Sequence, residues 1–207
     1  MFAPKQLAES LDFNDKDSLV LSSKFGVITS VLTFIVVVPS LKLAGIQIEN
    51  PYYILTDTIL TYAIYVLYGV IFHLFILLLG GRGTCAGTIT SFMYSTAFFI
   101  LISLFSLPLD FLFREELIKS ASPVFSEFII NEVRILNPYN PTIIFSLLAT
   151  YVLMFLHSRA LYCMFKHVHS IGAFRSFLAT FLGVVTWYVI TMFYVYPIVI
   201  MFYNGFI

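Results

Sequence analysis

The chain has 207 residues, of which 60% are hydrophobic and 11% charged, against ~25% charged in ordinary soluble domains. Net charge is zero and mean hydropathy is +0.96. Such a chain cannot hide its apolar surface in one soluble core, has no basic excess that would point to nucleic acid, and holds too few cysteines for a disulfide framework.

The first segment, "MFAPKQLAESLDFNDKDSLV", carries acids and no early apolar run, unlike a secretory signal peptide. Phe2, Leu7, Leu11 and Phe13 give it one apolar edge, so residues 1–24 are expected to form an amphipathic segment on the cytoplasmic surface. Within it, "DFNDKD" is not a calcium loop. The sixth position would need Gly and the twelfth Glu, and they hold Asp17 and Ser23.

Residues 25–207 read as one domain with five apolar spans, at about 25–43, 58–79, 89–112, 142–165 and 174–203. Each exceeds the ~18 residues that cross a bilayer. Backbone groups in lipid must be satisfied within the segment, so the spans are helices. The expected fold is all-α: a polytopic membrane protein, a bundle of five transmembrane helices with short amphipathic interfacial helices. One of these is expected at 123–136, where Val124, Phe125, Phe128, Ile129, Val133 and Leu136 recur at helical spacing after Ser122 and Pro123. No internal repeat is present.

Five spans put the termini on opposite sides. Lys5, Lys16, Lys24, Arg82, Arg159, Lys166 and Arg175 share one face, and Lys42, Arg114, Lys119 and Arg134 the other. The excess predicts that the first face is cytoplasmic, with the N-terminus inside and the C-terminus outside. Cys85 and Cys163 then lie near the cytoplasm and are expected to be reduced.

The stretch "GGRGTCAGT" lies between the second and third spans. A phosphate loop would need G-x-x-x-x-G-K-[ST], and no such lysine follows. A dinucleotide loop would need G-x-G-x-x-G between a strand and a helix, which Gly81, Gly83 and Gly87 do not provide. The stretch is a membrane hairpin turn instead. Gly80 and Gly81 end the second span through a left-handed glycine, Arg82 sits among headgroups, and Thr84 caps the third span.

His73 lies seven residues before Gly80, so ~10 Å inside the same face, and His157 at comparable depth. His73, His157 and Arg159 are expected to gather with Cys163 as an inner polar cluster, since polar groups at that depth usually face the bundle interior. His167-x-His169 is too weak a pattern for a metal site. No G-x-S-x-G, H-E-x-x-H or deep carboxylate pair occurs. Neither enzymatic activity, cofactor nor metal is therefore expected. Only Pro39, Pro108 and Pro197 interrupt the spans, so helices broken near the midplane are not expected. Gly183 offers a close helix approach in the last span, whose outer half, with Tyr188, Tyr194, Tyr196 and Tyr203, suits an aromatic belt.

The chain resembles the Yip domain family, the small five-span proteins that interact with Ypt/Rab GTPases. The resemblance covers nearly the whole chain in architecture. It rests on "FAPKQL", on Gly80, Gly81, Gly83, Thr84, Thr88 and Tyr94 in "HLFILLLGGRGTCAGTITSFMYSTA", and on His169, Ser170 and Arg175 in "HVHSIGAFRSFLATFL". It implies a cytoplasmic N-terminus, a five-helix bundle and a non-enzymatic role. The chain departs from eukaryotic members in lacking their long N-terminal tail and D-L-Y-G-P-type motif, and looks like the short prokaryotic branch. Small-GTPase binding is not carried over.

The expected function is that of a non-enzymatic membrane scaffold or accessory subunit in a bacterial inner membrane. It would act through the lipid bilayer and through a membrane-protein partner or a second copy of itself. The contact surface is expected at Gly80, Gly81, Arg82, Gly83, Thr84, Lys166, His169 and Arg175. The alternative is a transport or channel-forming subunit whose cytoplasmic vestibule is lined by His73, His157 and Arg159.

Overall fold

The computed structural model describes residues 5, 6, 9, 15–43, 52–112 and 141–195. The interfacial helix expected at 123–136, most of the N-terminal segment and the last span beyond 195 lie outside the described residues. Among the described residues, six α-helices form five spans: α1 (Lys16–Leu43), α2 (Tyr52–Leu78), α3 (Cys85–Ser95), α4 (Ala97–Leu112), α5 (Pro141–Val168) and α6 (Ala173–Ile190), which continues as a π-helical turn over Thr191–Val195. The helices of all five spans are long and apolar enough to cross a membrane, with α3 and α4 together forming the third. The chain is an all-α polytopic bundle.

The first span starts well before the expected residue 25. Asp15 caps it, its carboxylate accepting from the Asp17 N–H at 3.2 Å, and Asp17 complements the positive end of the helix dipole. The polar first turns are helical because of this cap, which an apolar-run criterion does not see. The second span likewise begins at Tyr52, directly after Pro51.

The third span is central. Its two halves pack against α1, α2 and α5, while α6 closes the bundle against α2 and α5. Phe72, Phe92 and Phe165 stack through its heart, with ring centroids 5.6 Å (Phe72–Phe92) and 5.4 Å (Phe72–Phe165) apart. Trp187 joins this core, edge-on to Tyr68 at 6.0 Å. A Cβ at Gly183 would collide with the Phe72 ring, so glycine there is what lets α6 close on α2.

Lipid removes the hydrophobic drive for helix association, which leaves van der Waals fit and interhelical hydrogen bonds. The bundle uses both. Ser22 donates to Thr90 at 3.3 Å and Thr29 shares a hydrogen bond with Thr96 at 2.8 Å, joining α1 to the third span. Tyr68 meets Thr191 at 2.6 Å. Ser176 donates to the Tyr162 carbonyl at 2.8 Å, joining α6 to α5. Ser146 donates to the Phe105 carbonyl, joining α5 to α4. Such bonds contribute ~0.6 kcal/mol each on average. Large apolar side chains such as Leu78, Phe145, Phe155 and Phe174 face outward.

The third span is not the unbroken helix expected. Thr96 interrupts it: its N–H bonds the Met93 carbonyl at 3.2 Å, and the Phe99 N–H turns to the Thr96 carbonyl at 2.9 Å. Ser95 and Thr96 also donate their hydroxyls back to the Phe92 and Met93 carbonyls, each at 2.6 Å. Such back-bonding competes with the helix ladder and bends it.

Candidate functional site

The two short turns are built alike. The turn after α2 ends the helix with Gly80 at φ 82°. Gly80 N–H reaches the Leu77 carbonyl and Gly81 N–H the Ile76 carbonyl, both at 2.9 Å, the paired bonds of a left-handed helix end. The turn after α5 uses Ser170 at φ 51°, with its N–H on the His167 carbonyl at 3.4 Å. Each turn then reaches an extended N-cap, Thr84 before α3 and Gly172 before α6. Thr84 accepts the Gly87 N–H at 3.0 Å, the cap expected from the sequence.

The turns interlock. The Arg82 N–H donates to the His169 carbonyl at 3.4 Å. Gly83 lies flat against His169 and the end of α5. A Cβ on it would stand 2.5 Å from His169 Nδ1 and 2.7 Å from the Val168 carbonyl. A Cβ on Gly81 would collide with Ile76 Cγ2, so the three glycines of "GGRGT" are accounted for by one left-handed residue, Gly80, and two close approaches, Gly81 on the end of α2 and Gly83 on the end of α5.

Beneath this seam lies a buried polar triad. Thr88 Oγ1 is 3.0 Å from His73 Nδ1 and 2.8 Å from His169 Nε2, and 3.4 Å from the Thr84 carbonyl. One protonation pattern satisfies every N–H here. Both imidazoles are neutral and donate to the two lone pairs of Thr88, and the hydroxyl donates to Thr84. His169 Nδ1 then carries only a lone pair beside Gly83, with no partner among the described residues. His169 lies past the end of α5, and burial, helped by the charge that His73 can carry, pushes its imidazole down to about 4. The triad holds at neutral pH without an ion inside it.

Around the turns the side chains are basic and exposed. The Arg175 guanidinium lies over Gly80, 3.3 Å from where a Cβ would stand. Arg82, Lys166 and His167 are exposed. The structure thus brings Gly80, Gly81, Arg82, Gly83, Thr84, His169 and Arg175 to one place, with Lys166 one turn away on α5.

The expected inner cluster of His73, His157 and Arg159 does not gather. His73 is taken up by Thr88. His157 sits among Phe92, Phe98, Phe99 and Trp187, with Phe99 nearest at 4.8 Å between centroids. Its Nδ1–H donates to the Ser95 carbonyl at 3.3 Å. That carbonyl would accept Phe99 N–H in a regular helix, and the interruption at Thr96 frees it, so His157 repairs the break. Its Nε2 has no partner among the described residues. Arg159 is exposed on the outer surface of α5. Sequence depth gave these residues a common height but not a common side of their helices.

Three contributors were not singled out as site residues from the sequence: Thr88, Ser170 and the Ser95–Thr96 pair. Thr88 is four residues after the cap and so on the same helix face. Ser170 entered the sequence reading only through the family resemblance, and the Ser95–Thr96 pair carries no distinctive sequence signal. Cys85 and Cys163 are free thiols, and among the described residues no three His, Cys, Asp or Glu side chains gather as a metal would require. Comparison of the chain with protein-family models, with curated proteins and with solved structures found no match.

Proposed function

We propose that the chain is a non-enzymatic scaffold or accessory subunit of a bacterial inner membrane, organised like the Yip family members it resembles. The turn face is cytoplasmic in this reading and docks a partner protein. The observation that carries it is the division of labour at the turns. His73, Thr88 and His169 spend their polar atoms on one another, and Arg82, Lys166, His167 and Arg175 stay exposed on a rim held in place by two interlocked backbones. Rigid presentation of a basic rim suits recognition of an acidic partner surface. Purification of the tagged chain in mild detergent from its native membrane, with mass spectrometry of co-purifying proteins, tests this. A stoichiometric partner lost in Arg82→Gln/Arg175→Gln is expected. A partner retained by that variant would move the contact elsewhere, and a chain that emerges alone would remove the reading.

A transport role is favoured by one observation, the interruption of the third span at Thr96 with the unpartnered His157 Nε2 close by. Interrupted helices near mid-membrane line many substrate sites. Substrate-dependent flux in liposomes that disappears in His157→Gln would replace the scaffold reading.

A further inference from the structure

A groove of about 320 Å³ opens between α5 and α6, walled by Phe155, Phe177, Phe181 and Val184, with Arg159 and Tyr162 in it. Its walls face outward: Phe155 is 69%, Phe177 58% and Phe181 54% exposed. In a membrane-spanning bundle these surfaces meet lipid. Arg159 is nine residues before the end of α5, so ~14 Å along the helix from it, deep enough that an uncompensated guanidinium is costly.

Nothing in the two helices compensates it. Neither α5 nor α6 contains an Asp or Glu, and Arg159 has no ion pair or hydrogen bond among the described residues. The groove's serine and threonine hydroxyls are already used: Ser158 donates to the Met154 carbonyl at 2.9 Å and Thr180 to the Ser176 carbonyl at 2.8 Å. The donors left to a ligand are Arg159 and Tyr162. Tyr162 also lines a second groove of about 380 Å³ nearer the turns, which holds Lys166, His167 and Ser170 together with Lys5 and Glu9. Lys5 there is paired with Glu9 at 3.8 Å, which leaves Lys166 as the free cation of that groove among the described residues.

We propose that the α5–α6 groove binds a membrane phospholipid with an anionic headgroup. An acyl chain lies along Phe177 and Phe181. The phosphate is drawn inward to Arg159 and Tyr162, and Lys166 supplies attraction from the basic side. A guanidinium pairs a phosphate through two parallel bonds, and the apolar walls exclude the water that would weaken them. The site requires only that the bundle spans a membrane, and stands whether or not the turn face docks a protein.

Native mass spectrometry of the purified full chain, titrated with phosphatidylglycerol or phosphatidylcholine, tests this. The intact chain is expected to bind phosphatidylglycerol more tightly than phosphatidylcholine. Arg159→Gln is expected to weaken phosphatidylglycerol about tenfold, the size of one lost charge-assisted contact. Arg159→Lys should lose less, and phosphatidylcholine, which has the same phosphate but a choline cation that opposes Arg159 and Lys166, should weaken less than phosphatidylglycerol does. Val184→Trp, which fills the groove and leaves Arg159 in place, is expected to weaken phosphatidylglycerol as well, and gives an independent reading if Arg159→Gln does not fold. Equal affinity of the two lipids for the intact chain would overturn the site. So would phosphatidylglycerol affinity within twofold of the intact chain in both variants, or a second copy of the chain filling the groove in place of lipid.

Discussion

The third span holds three buried imidazoles by two opposite means. At the turn end, His73 and His169 are bridged by a side chain, Thr88, and the network ties two loops that are distant in sequence. At mid-span, His157 answers to the backbone. It takes the Ser95 carbonyl that the interruption at Thr96 releases, inside a ring of aromatic side chains. The first is a closed polar circuit next to an exposed surface. The second is a patch on a broken ladder in an apolar interior. A buried histidine in this bundle is thus explained first by what its neighbours leave unpaired, and only then by chemistry.

The contrast can be broken at several points. The largest effect is expected from His157→Ala, which empties the aromatic cage and orphans the Ser95 carbonyl. We expect a loss of roughly 3–5 kcal/mol, read as a fall in the thermal unfolding midpoint in detergent. His157→Gln, which keeps a donor, should recover part of it. If the two variants are equal, the hydrogen bond to Ser95 is not what His157 supplies.

Thr88→Val preserves shape but leaves two imidazole N–H groups without an acceptor, a cost of about 2–4 kcal/mol. Thr88→Ser should behave nearly as the parent, and a harmless Thr88→Val would mean that the circuit is not closed. Gly83→Ala should cost about 1–3 kcal/mol by pushing the turn off Val168 and His169; accessibility of Cys85 to a maleimide, rising with it, would report the parting of the turns.

Acid is expected to act on the same seam. An unfolded chain protonates its imidazoles near 6.5, whereas burial next to His73 lowers His169 to about 4. The stability this residue contributes is complete above pH 6.5 and is lost as pH falls from 6.5 to 4, because the unfolded chain takes the proton first. Unfolding midpoints across that window should slope downward, and His169→Gln should flatten the slope. The smallest effect is expected from Arg82→Gln/Arg175→Gln, within about 0.5 kcal/mol per site, since both side chains are exposed. A large loss there would show that the rim carries the fold and not only a contact.

Much of this bundle is legible in the sequence because lipid imposes a simple length rule. The apolar runs locate all five spans, and the glycine and threonine of the first turn announce a helix end and a helix start, as Gly80 and Thr84 bear out. The starts of α1 and α2 are less visible, because a cap such as Asp15 extends a helix into polar sequence. The interruption at Thr96 is hidden for another reason. Serine and threonine in a span are ordinary, and whether they bond back to their own helix depends on χ1, which sequence does not state. The grouping of the histidines was hidden by rotation. Counting residues gives depth along a helix, and only packing decides which side a residue faces, so His73 pairs with His169 while Arg159 faces outward.

Interlocking the turns at one end has a mechanical consequence. The seam between Arg82 and His169 joins the ends of α2 and α5, which are 27 and 28 residues long, or roughly 40 Å each. Any relative swing of these helices that keeps the seam intact has its fulcrum there. One degree of swing displaces the far ends by about 0.7 Å, and the displacement shrinks in proportion toward the turns. Such a swing would leave the basic rim nearly still and move the opposite ends of α2 and α5 the most.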